Sequence, residues 1–309
     1  MTVDILMATY NGEKYLEAQI FSLLSQTHKN WNLYIHDDGS ADNTVSIIHE
    51  FMAIDNRVKF IEDGIKFGNA GMNFFHLLQF SESPFAIFCD QDDIWFETKL
   101  EALHSGILNK DNSIPQIVFA NGYLYSDKRD IFSNNIPHIR VDKLNEMLFM
   151  NAGLQGCSII FNKCLLEIAV NYKGYIAMHD HLITMLAILF GNITYLERRL
   201  MLYRQEHQGK VTTNVLETSG IWKVMFENRF PVIDKNHYKA NVDIFNFFEK
   251  KLTVDQIKLF EEYMLYYNSV SKNKCYKIIV KNKFSVQGSV FKLLLKTLLR
   301  PIKKLSVAK

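Results

Sequence analysis

Through the first 125 residues, short apolar runs rich in β-branched and aromatic residues alternate with stretches whose apolar positions recur at helical spacing. Val3 to Ala8, Trp31 to His36, Val58 to Ile61, Phe85 to Cys89 and Ile117 to Ala120 predict strands. Tyr15 to Ser25, Asn43 to Met52 and Gly71 to Phe80 predict helices between them. Strand, helix and strand at short connections imply parallel βαβ units, whose right-handed crossovers build a doubly wound sheet. The second half is less regular. Leu144 to Met150 reads as a helix, Leu154 to Phe161 as a strand, Leu165 to Tyr172 and Leu182 to Phe190 as helices, and Ile193 to Tyr203 as one or two strands. From about Thr218 the pattern is helical and aromatic-rich through Tyr267. No repeat and no low-complexity linker appears, so the expectation is one enlarged α/β domain over residues 1–215 and a helical extension over 216–309.

In a doubly wound sheet ligands bind beyond the carboxyl ends of the strands. Polar clusters stand at those ends: Thr9-Tyr10-Asn11-Gly12 after the first run, Asp37-Asp38-Gly39-Ser40 after the second and Asp90-Gln91-Asp92-Asp93 after the fourth. Asp38-Gly39-Ser40 alone is an ordinary turn signal. Three such clusters at three ends of one sheet outweigh that reading. Asp90 and Asp92, two residues apart on an extended segment, point to one side and repel each other unless a divalent cation compensates them. Oxygen donors without neighbouring His or Cys suit Mn²⁺ or Mg²⁺, and magnesium commonly adds substrate phosphates to one or two carboxylates. The alternative is a solvated turn and cap before the helix near Leu100 to Leu108.

Composition narrows the class. The 309 residues are 48% hydrophobic and 22% charged, an ordinary globular balance. The formal net charge of +2 is an average over unlike regions, because residues 271–309 carry eleven Lys and Arg and no Asp or Glu. The remainder is acidic, which argues against a nucleic-acid partner. Cys89, Cys157, Cys164 and Cys275 match no zinc or disulfide spacing and read as reduced thiols. Met1-Thr2-Val3-Asp4 lacks the basic start of an export signal, and the longest apolar stretch, Leu182 to Phe190, is about half of the ~18 residues a membrane span requires. A cytoplasmic protein is expected. Near the end, Lys292, Lys296, Arg300, Lys303 and Lys304 lie close to one helical stripe and Phe291, Leu294, Leu295, Leu298 and Ile302 fill another, with Pro301 breaking the helix. Residues 284–309 therefore suit peripheral contact with the anionic inner face of the plasma membrane, or else packing on the acidic body.

Taken in order, Ala8-Thr9-Tyr10-Asn11-Gly12, Asp37-Asp38-Gly39-Ser40, Cys89-Asp90-Gln91-Asp92-Asp93-Ile94-Trp95 and His179-Asp180 resemble bacterial family 2 glycosyltransferases of the GT-A fold, especially the rhamnosyltransferase-like subgroup, over roughly residues 1 to 210. The resemblance implies a GT-A type doubly wound, mostly parallel sheet with a helical C-terminal extension. It implies a nucleotide site in which Asp38 accepts the pyrimidine N–H beside Thr9, Tyr10 and Asn11, so that UDP- and dTDP-sugars both qualify as donors. Asp90 would face ribose or metal, Asp92 the metal, and Asp180 would be the catalytic base for an acceptor hydroxyl. Leu202-Tyr203-Arg204-Gln205-Glu206-His207 resembles the family's Tyr-Arg-Gln-His segment with Glu206 inserted. Arg204 would pair with phosphate, and His207 would complete the metal site or hold the diphosphate, or else stand as a surface histidine. Asn151 to Cys157 would border a glycan or lipid-linked glycan acceptor.

Bland roles compete at several positions. Asp180 also suits an N-cap, and His179 and His181 read as partly exposed imidazoles. The aromatic set Trp222, Phe226, Phe230, Phe245, Phe247, Phe248 and Tyr263 reads as packing. The leading expectation is an inverting, metal-dependent transferase moving rhamnose first, or galactose or glucose next, onto a growing surface polysaccharide. A Mg²⁺-dependent phosphohydrolase or phosphotransferase and a non-catalytic nucleotide-binding protein are the alternatives.

Overall fold

The computed structural model describes residues 1–136, 141–205 and 231–303. The chain begins with β1 (Val3–Thr9), α1 (Leu16–Leu24), β2 (Trp31–Asp37), α2 (Thr44–Ile54), β3 (Val58–Phe60), α3 (Ala70–Leu77), β4 (Phe85–Cys89) and β5 (Ile94–Trp95). It continues with α4 (Lys99–Leu108), β6 (Gln116–Ser126), β7 (Asp130–Ser133), α5 (Leu144–Met147), β8 (Ile159–Asn162), α6 (Lys163–Val170), α7 (His179–Phe190) and β9 (Asn192–Arg204). The described helices after β9 are α8 (Lys235–Phe248), α9 (Val254–Asn268), α10 (Lys272–Asn282) and α11 (Val290–Leu299).

Two compact units result. The first takes Met1–His138, Leu154–Asn171 and Met178–Thr213, and the second takes Ile139–Gly153, Tyr172–Ala177 and Asn214–Lys309. Among the described residues the first unit holds a nine-stranded sheet in the order β3-β2-β1-β4-β8-β6-β9-β5, with β7 beside β6. Strands β3, β2, β1 and β4 are parallel, as the βαβ reading requires. β8 then runs antiparallel to β4 and β6, while β6 and β9 pair in parallel. β1 is nearly wholly buried because helices cover both faces of a parallel sheet, which is why Ile5, Leu6 and Met7 follow one another without alternation, while the buried Asp4 accepts from Asn32, Ser81 and Ser83.

Several elements differ from the sequence expectation. β6 runs on from Ala120 to Ser126 through Asn121-Gly122, where the apolar run breaks. The Asn121 side-chain oxygen accepts the Gly122 and Ile136 N–H groups, and the pairing with β9 shifts register there. Leu154 to Ser158 is not strand: Leu154 N–H donates to Thr184 Oγ1, Ser158 N–H donates to the Gln155 carbonyl, and β8 starts only at Ile159. The helix placed at Leu182 begins three residues earlier, at His179, with Met178 as its N-cap. Asp180 therefore lies in the first turn and is not the cap. His179 and His181 are buried, correcting the partly exposed reading, because the early helix start turns both inward.

In the second unit Phe149, Tyr263, Tyr266 and Phe284 build an aromatic core. Thr253 and Gln256 form a capping box that starts α9. The aromatics read as packing divide: Phe245, Phe248 and Tyr263 are buried and Phe247 is exposed, while Trp222, Phe226 and Phe230 lie outside the described residues. α11 ends before Pro301 as expected. It turns Leu293 and Thr297 inward, with the Thr297 hydroxyl 2.7 Å from the Tyr266 hydroxyl, and leaves Phe291 and Leu298 exposed. Among the described residues no helix is long and apolar enough to cross a membrane.

Candidate active site

The carboxyl ends of β1, β2 and β4 open onto a cavity of about 780 Å³ within the first unit. Its lining brings together Thr9, Tyr10, Asp38, Asp90, Asp92 and Asp180, six of the positions read from sequence. Asn11 and Arg204 are not in that lining, and His207 lies outside the described residues.

The two acids at the end of β2, Asp37 and Asp38, divide the work. Asp37 holds the turn: its Oδ1 accepts the Gly39 and Ser40 N–H groups, and its Oδ2 accepts the Thr9 and Ser40 hydroxyls. Gly39 occupies this turn at φ +88°, and a Cβ there would meet the Lys66 side chain at 2.6 Å. Asp38 is thereby turned toward the cavity wall, where it accepts the backbone N–H groups of Phe67, Gly68 and Asn69. A carboxylate has about four acceptor positions, so these three bonds leave capacity for a ligand donor. Asn69 then caps α3, its side chain accepting the Met72 N–H at 3.1 Å.

Asn11 shapes the rim rather than the wall. It stands at φ 45°, its N–H donates to Ser40 Oγ, and its side-chain oxygen accepts the Ala41 N–H. Gln91, between the two metal candidates, exchanges both amide bonds with the Tyr10 backbone, at 2.9 and 3.0 Å. This pairing locks the loop after β1 to the loop after β4.

The acidic loop is held from behind. Arg204 is buried; its Nε donates to the Asp92 carbonyl at 2.8 Å, its backbone N–H donates to Asp93 Oδ1 at 3.0 Å, and its guanidinium pairs with Asp127. The rings of Tyr15 and Tyr125 flank it at 4.1 and 4.9 Å. Arg204 thus reaches the loop's backbone instead of the cavity. Lys99, buried at the start of α4, donates to the Cys157 carbonyl at 2.7 Å and lies 3.6 Å over the Trp95 ring. Burial pushes its ammonium down to about 8. Asp90, Asp93 and Cys157 place ligand atoms within 4.8 Å of one another. Burial, then Asp93 and Asp90, push the Cys157 thiol up, so it stays protonated and unsuited to a hard cation.

Asp180 enters from the first turn of α7. Burial, with a further push from Asp90, raises its carboxyl to about 7, although its Oδ1 accepts the His181 N–H at 2.6 Å. His179 beside it packs 4.1 Å from the Phe74 ring, and burial holds its imidazole down at about 3, hence neutral. Gly156 makes room for the pair, since a Cβ there would meet His179 Nε2 at 2.7 Å. Such a carboxyl suits a general base operating near neutral pH.

Lys66 and Met178 also line the cavity and belong to no motif of the sequence, and so do Gln91 and Tyr203, which lie inside quoted motifs without an assigned role. Lys66 sits in a polar loop with no periodic signal. Gln91 could have been found, since it lies inside the Asp-Gln-Asp segment itself.

The profile of glycosyl transferase family 2 matches residues 4–166. A dTDP-rhamnosyl transferase of Shigella flexneri is 29% identical over 228 residues, covering 68% of this chain and 74% of its own. A β-1,3-glucosyltransferase of Escherichia coli, named for UDP-Glc and a GlcNAc-diphosphoundecaprenol acceptor, is 32% identical over 168 residues, 53% of this chain and 62% of its own. Among solved structures, Staphylococcus aureus TarS residues 1–349 with UDP-GlcNAc shares the fold at TM-score 0.57 and 16% identity, over 96% of this chain and 89% of that one. A mannosyltransferase from Pyrobaculum calidifontis does so at TM-score 0.51 and 11% identity, over 96% and 86%. The family match spans more than half of the sequence and the strand-end acids converge on one cavity: the chain belongs to glycosyl transferase family 2 and is a glycosyltransferase of GT-A fold.

Proposed function

We propose that this enzyme is an inverting, metal-dependent transferase moving a sugar from a UDP- or dTDP-sugar onto a growing, lipid-linked surface polysaccharide. The observation that carries the reading is the meeting of Asp38, the Asp90-Asp92 pair and an Asp180 carboxyl raised to about 7 in one cavity. Rhamnose is the first candidate sugar, supported by the named activity of the Shigella relative, with galactose or glucose next. A lipid-linked acceptor is supported by the name of the Escherichia coli relative. In this reading the transfer domain would span residues 1–215.

Four aspartates and a single lysine, Lys66, among the described lining residues leave the cavity short of positive charge for a diphosphate. The all-oxygen pair Asp90 and Asp92 would hold Mn²⁺ or Mg²⁺, whose charge would neutralise the departing nucleoside diphosphate. Thr9 and Tyr10 flank the base, and Asp38 accepts its ring N–H. Asp180 takes the acceptor hydroxyl proton as the acceptor oxygen bonds to the anomeric carbon and the bond to the diphosphate breaks. One displacement inverts the anomeric centre. The non-catalytic alternative is disfavoured because Asp92 and Asp180 both face the cavity, and the family assignment sets aside the phosphohydrolase.

The exposed Phe291 and Leu298 beside Lys292 support peripheral contact with an anionic bilayer, which would bring the enzyme to a lipid-linked acceptor on the cytoplasmic side. The basic face is weaker than the stripe suggests, since burial and Arg300 push Lys296 down to about 8. A thermal-shift comparison of UDP, dTDP, GDP and CMP with and without Mn²⁺ tests the donor class. Stabilisation by UDP or dTDP, enhanced by Mn²⁺ in the wild type and not in Asp92→Asn, is expected. Preferential stabilisation by GDP, or an unchanged Mn²⁺ effect in Asp92→Asn, would overturn the assignment.

A further inference from the structure

His36 is the last residue of β2 before the Asp37-Asp38 pair and is almost completely buried. Its Nδ1 lies 2.7 Å from Asn73 Oδ1, and the Asn73 amide is oriented by donating its Nδ2–H to the His36 carbonyl at 3.2 Å. Nδ1 therefore carries the hydrogen, and in the neutral ring Nε2 keeps a lone pair. That lone pair faces Asp63 Oδ1 at 3.1 Å. The other Asp63 oxygen is 2.6 Å from Nε2 of His76, on α3. Although burial opposes ionisation, the Ile65 N–H and, when protonated, the His76 and His36 rings bring the Asp63 carboxyl down to about 2.

The contact between Nε2 and the carboxylate needs positive charge at its centre, supplied either by a proton on the ring as an ion pair or by one metal ion shared by both rings and Asp63. The three ligand atoms lie within 4.8 Å of one another, so displacements below about 1 Å bring them to the ~3.3 Å edge of a tetrahedron with bonds of ~2.0–2.1 Å. The surroundings suit a metal as well. A metal-bound imidazole typically donates its other N–H to an oxygen. Asn73 already accepts from His36, and the Gln79 amide, 2.6 Å from His76 Nδ1, can do the same for His76 when its oxygen is turned inward. Two nitrogens and one carboxylate form a donor set for a borderline cation, unlike the all-oxygen pair of Asp90 and Asp92.

We propose that His36, Asp63 and His76 form a binding site for a divalent cation of the Zn²⁺ class, distinct from the Asp90-Asp92 pair, with water in the fourth position on the open side of Asp63. The site joins β2 and α3 to the connection between β3 and α3, from which Lys66, Gly68 and Asn69 line the cavity. Occupancy pins the loop whose N–H groups bind Asp38. A cation here is structural and takes no part in sugar transfer.

The test titrates Co²⁺, as a spectroscopic probe, into the metal-stripped full-length protein. Tetrahedral Co²⁺ with nitrogen ligands absorbs strongly in the visible range and octahedral Co²⁺ among oxygens only weakly. One equivalent of the intense form is expected, displaced by Zn²⁺ but not by excess Mg²⁺. It should persist in Asp92→Asn and weaken at least ~10-fold in His76→Gln and Asp63→Asn. Absence of the band in the wild type, or its survival in both of those variants, would overturn the site. Should the variants fail to fold, ¹⁵N-histidine spectra of the wild type decide. Zn²⁺ must shift the Nε2 resonances of His36 and His76, and unmoved resonances would leave only a proton between Asp63 and His36.

Discussion

Asp90 lies close enough to Asp180 for its negative charge to add to burial in raising the Asp180 carboxyl to about 7. Two acids contributed by distant parts of the sequence, one after β4 and one in the first turn of α7, thereby share one electrostatic environment. A base must be unprotonated to act, so kcat/KM is expected to rise with pH through about 7 and then level off. The stability consequence has the opposite direction. A carboxyl raised above its unfolded value of 3.8 contributes stability below that value, and the contribution is lost as pH rises through about 7. Asp180→Asn removes the buried charge and should raise Tm by a few degrees at pH 8, with little change near pH 4, as scanning calorimetry would read. A lower Tm at pH 8 would show that the carboxylate stabilises the fold.

Asp38 combines two roles that one substitution separates. Asp38→Asn keeps the volume but offers a single neutral oxygen to three N–H groups of Phe67, Gly68 and Asn69. Hydrogen bonds to a charged acceptor contribute roughly 1.5–3 kcal/mol each, so Tm should fall measurably. Affinity for UDP or dTDP should fall ~10-fold by calorimetry. A fall in Tm with unchanged nucleotide affinity would confine Asp38 to organising the loop.

Arg204 was expected from the family resemblance to pair with phosphate, and the structure places it behind the acidic loop instead. Arg204→Met should therefore weaken Mn²⁺ binding about 10-fold, the lower end of the usual effect of residues that orient metal ligands. UDP affinity measured without metal should not change. Loss of metal-free UDP binding, with Mn²⁺ affinity intact, would return Arg204 to the phosphate.

The outward face of α11 can be tested without disturbing its packing. Deleting the chain after Lys283 would also remove Leu293 and Thr297 from the second unit, so Phe291→Ser with Leu298→Ser is the cleaner variant. Co-sedimentation with anionic vesicles at low salt should fall at least several-fold, with Tm nearly unchanged. Equal sedimentation of both proteins, or none of either, would remove the membrane role.

The half of the fold that carries the acids was legible because β1 and β4 are buried and read as apolar runs, broken before their ends only by Asp4, while β2 keeps Trp31, Leu33 and Ile35 buried in alternation. β1, β2 and β4 end within a residue of the positions read for them, and the polar residues that follow reach one cavity. The rest was hidden by local exceptions. Asn121-Gly122 interrupts β6 because a bulge needs a side-chain acceptor there, and Gly156 breaks a strand pattern to admit His179. Buried polar residues were the least visible. The family resemblance assigns Arg204 to phosphate and nothing in the sequence marks Lys99 or His36, since only the tertiary structure shows what their donors meet.

The central claim is that Asp180 removes the acceptor proton in a cavity that binds the donor independently of it. The most direct measurement pairs calorimetric binding of the UDP- or dTDP-sugar with release of nucleoside diphosphate in the presence of a lipid-linked glycan acceptor, for the wild type and Asp180→Asn. The amide keeps an oxygen for the His181 N–H but has little capacity to accept a proton. Donor affinity is predicted to stay within about two-fold while kcat falls ~100-fold or more. Unaltered turnover in Asp180→Asn, with the donor bound normally, would contradict the account.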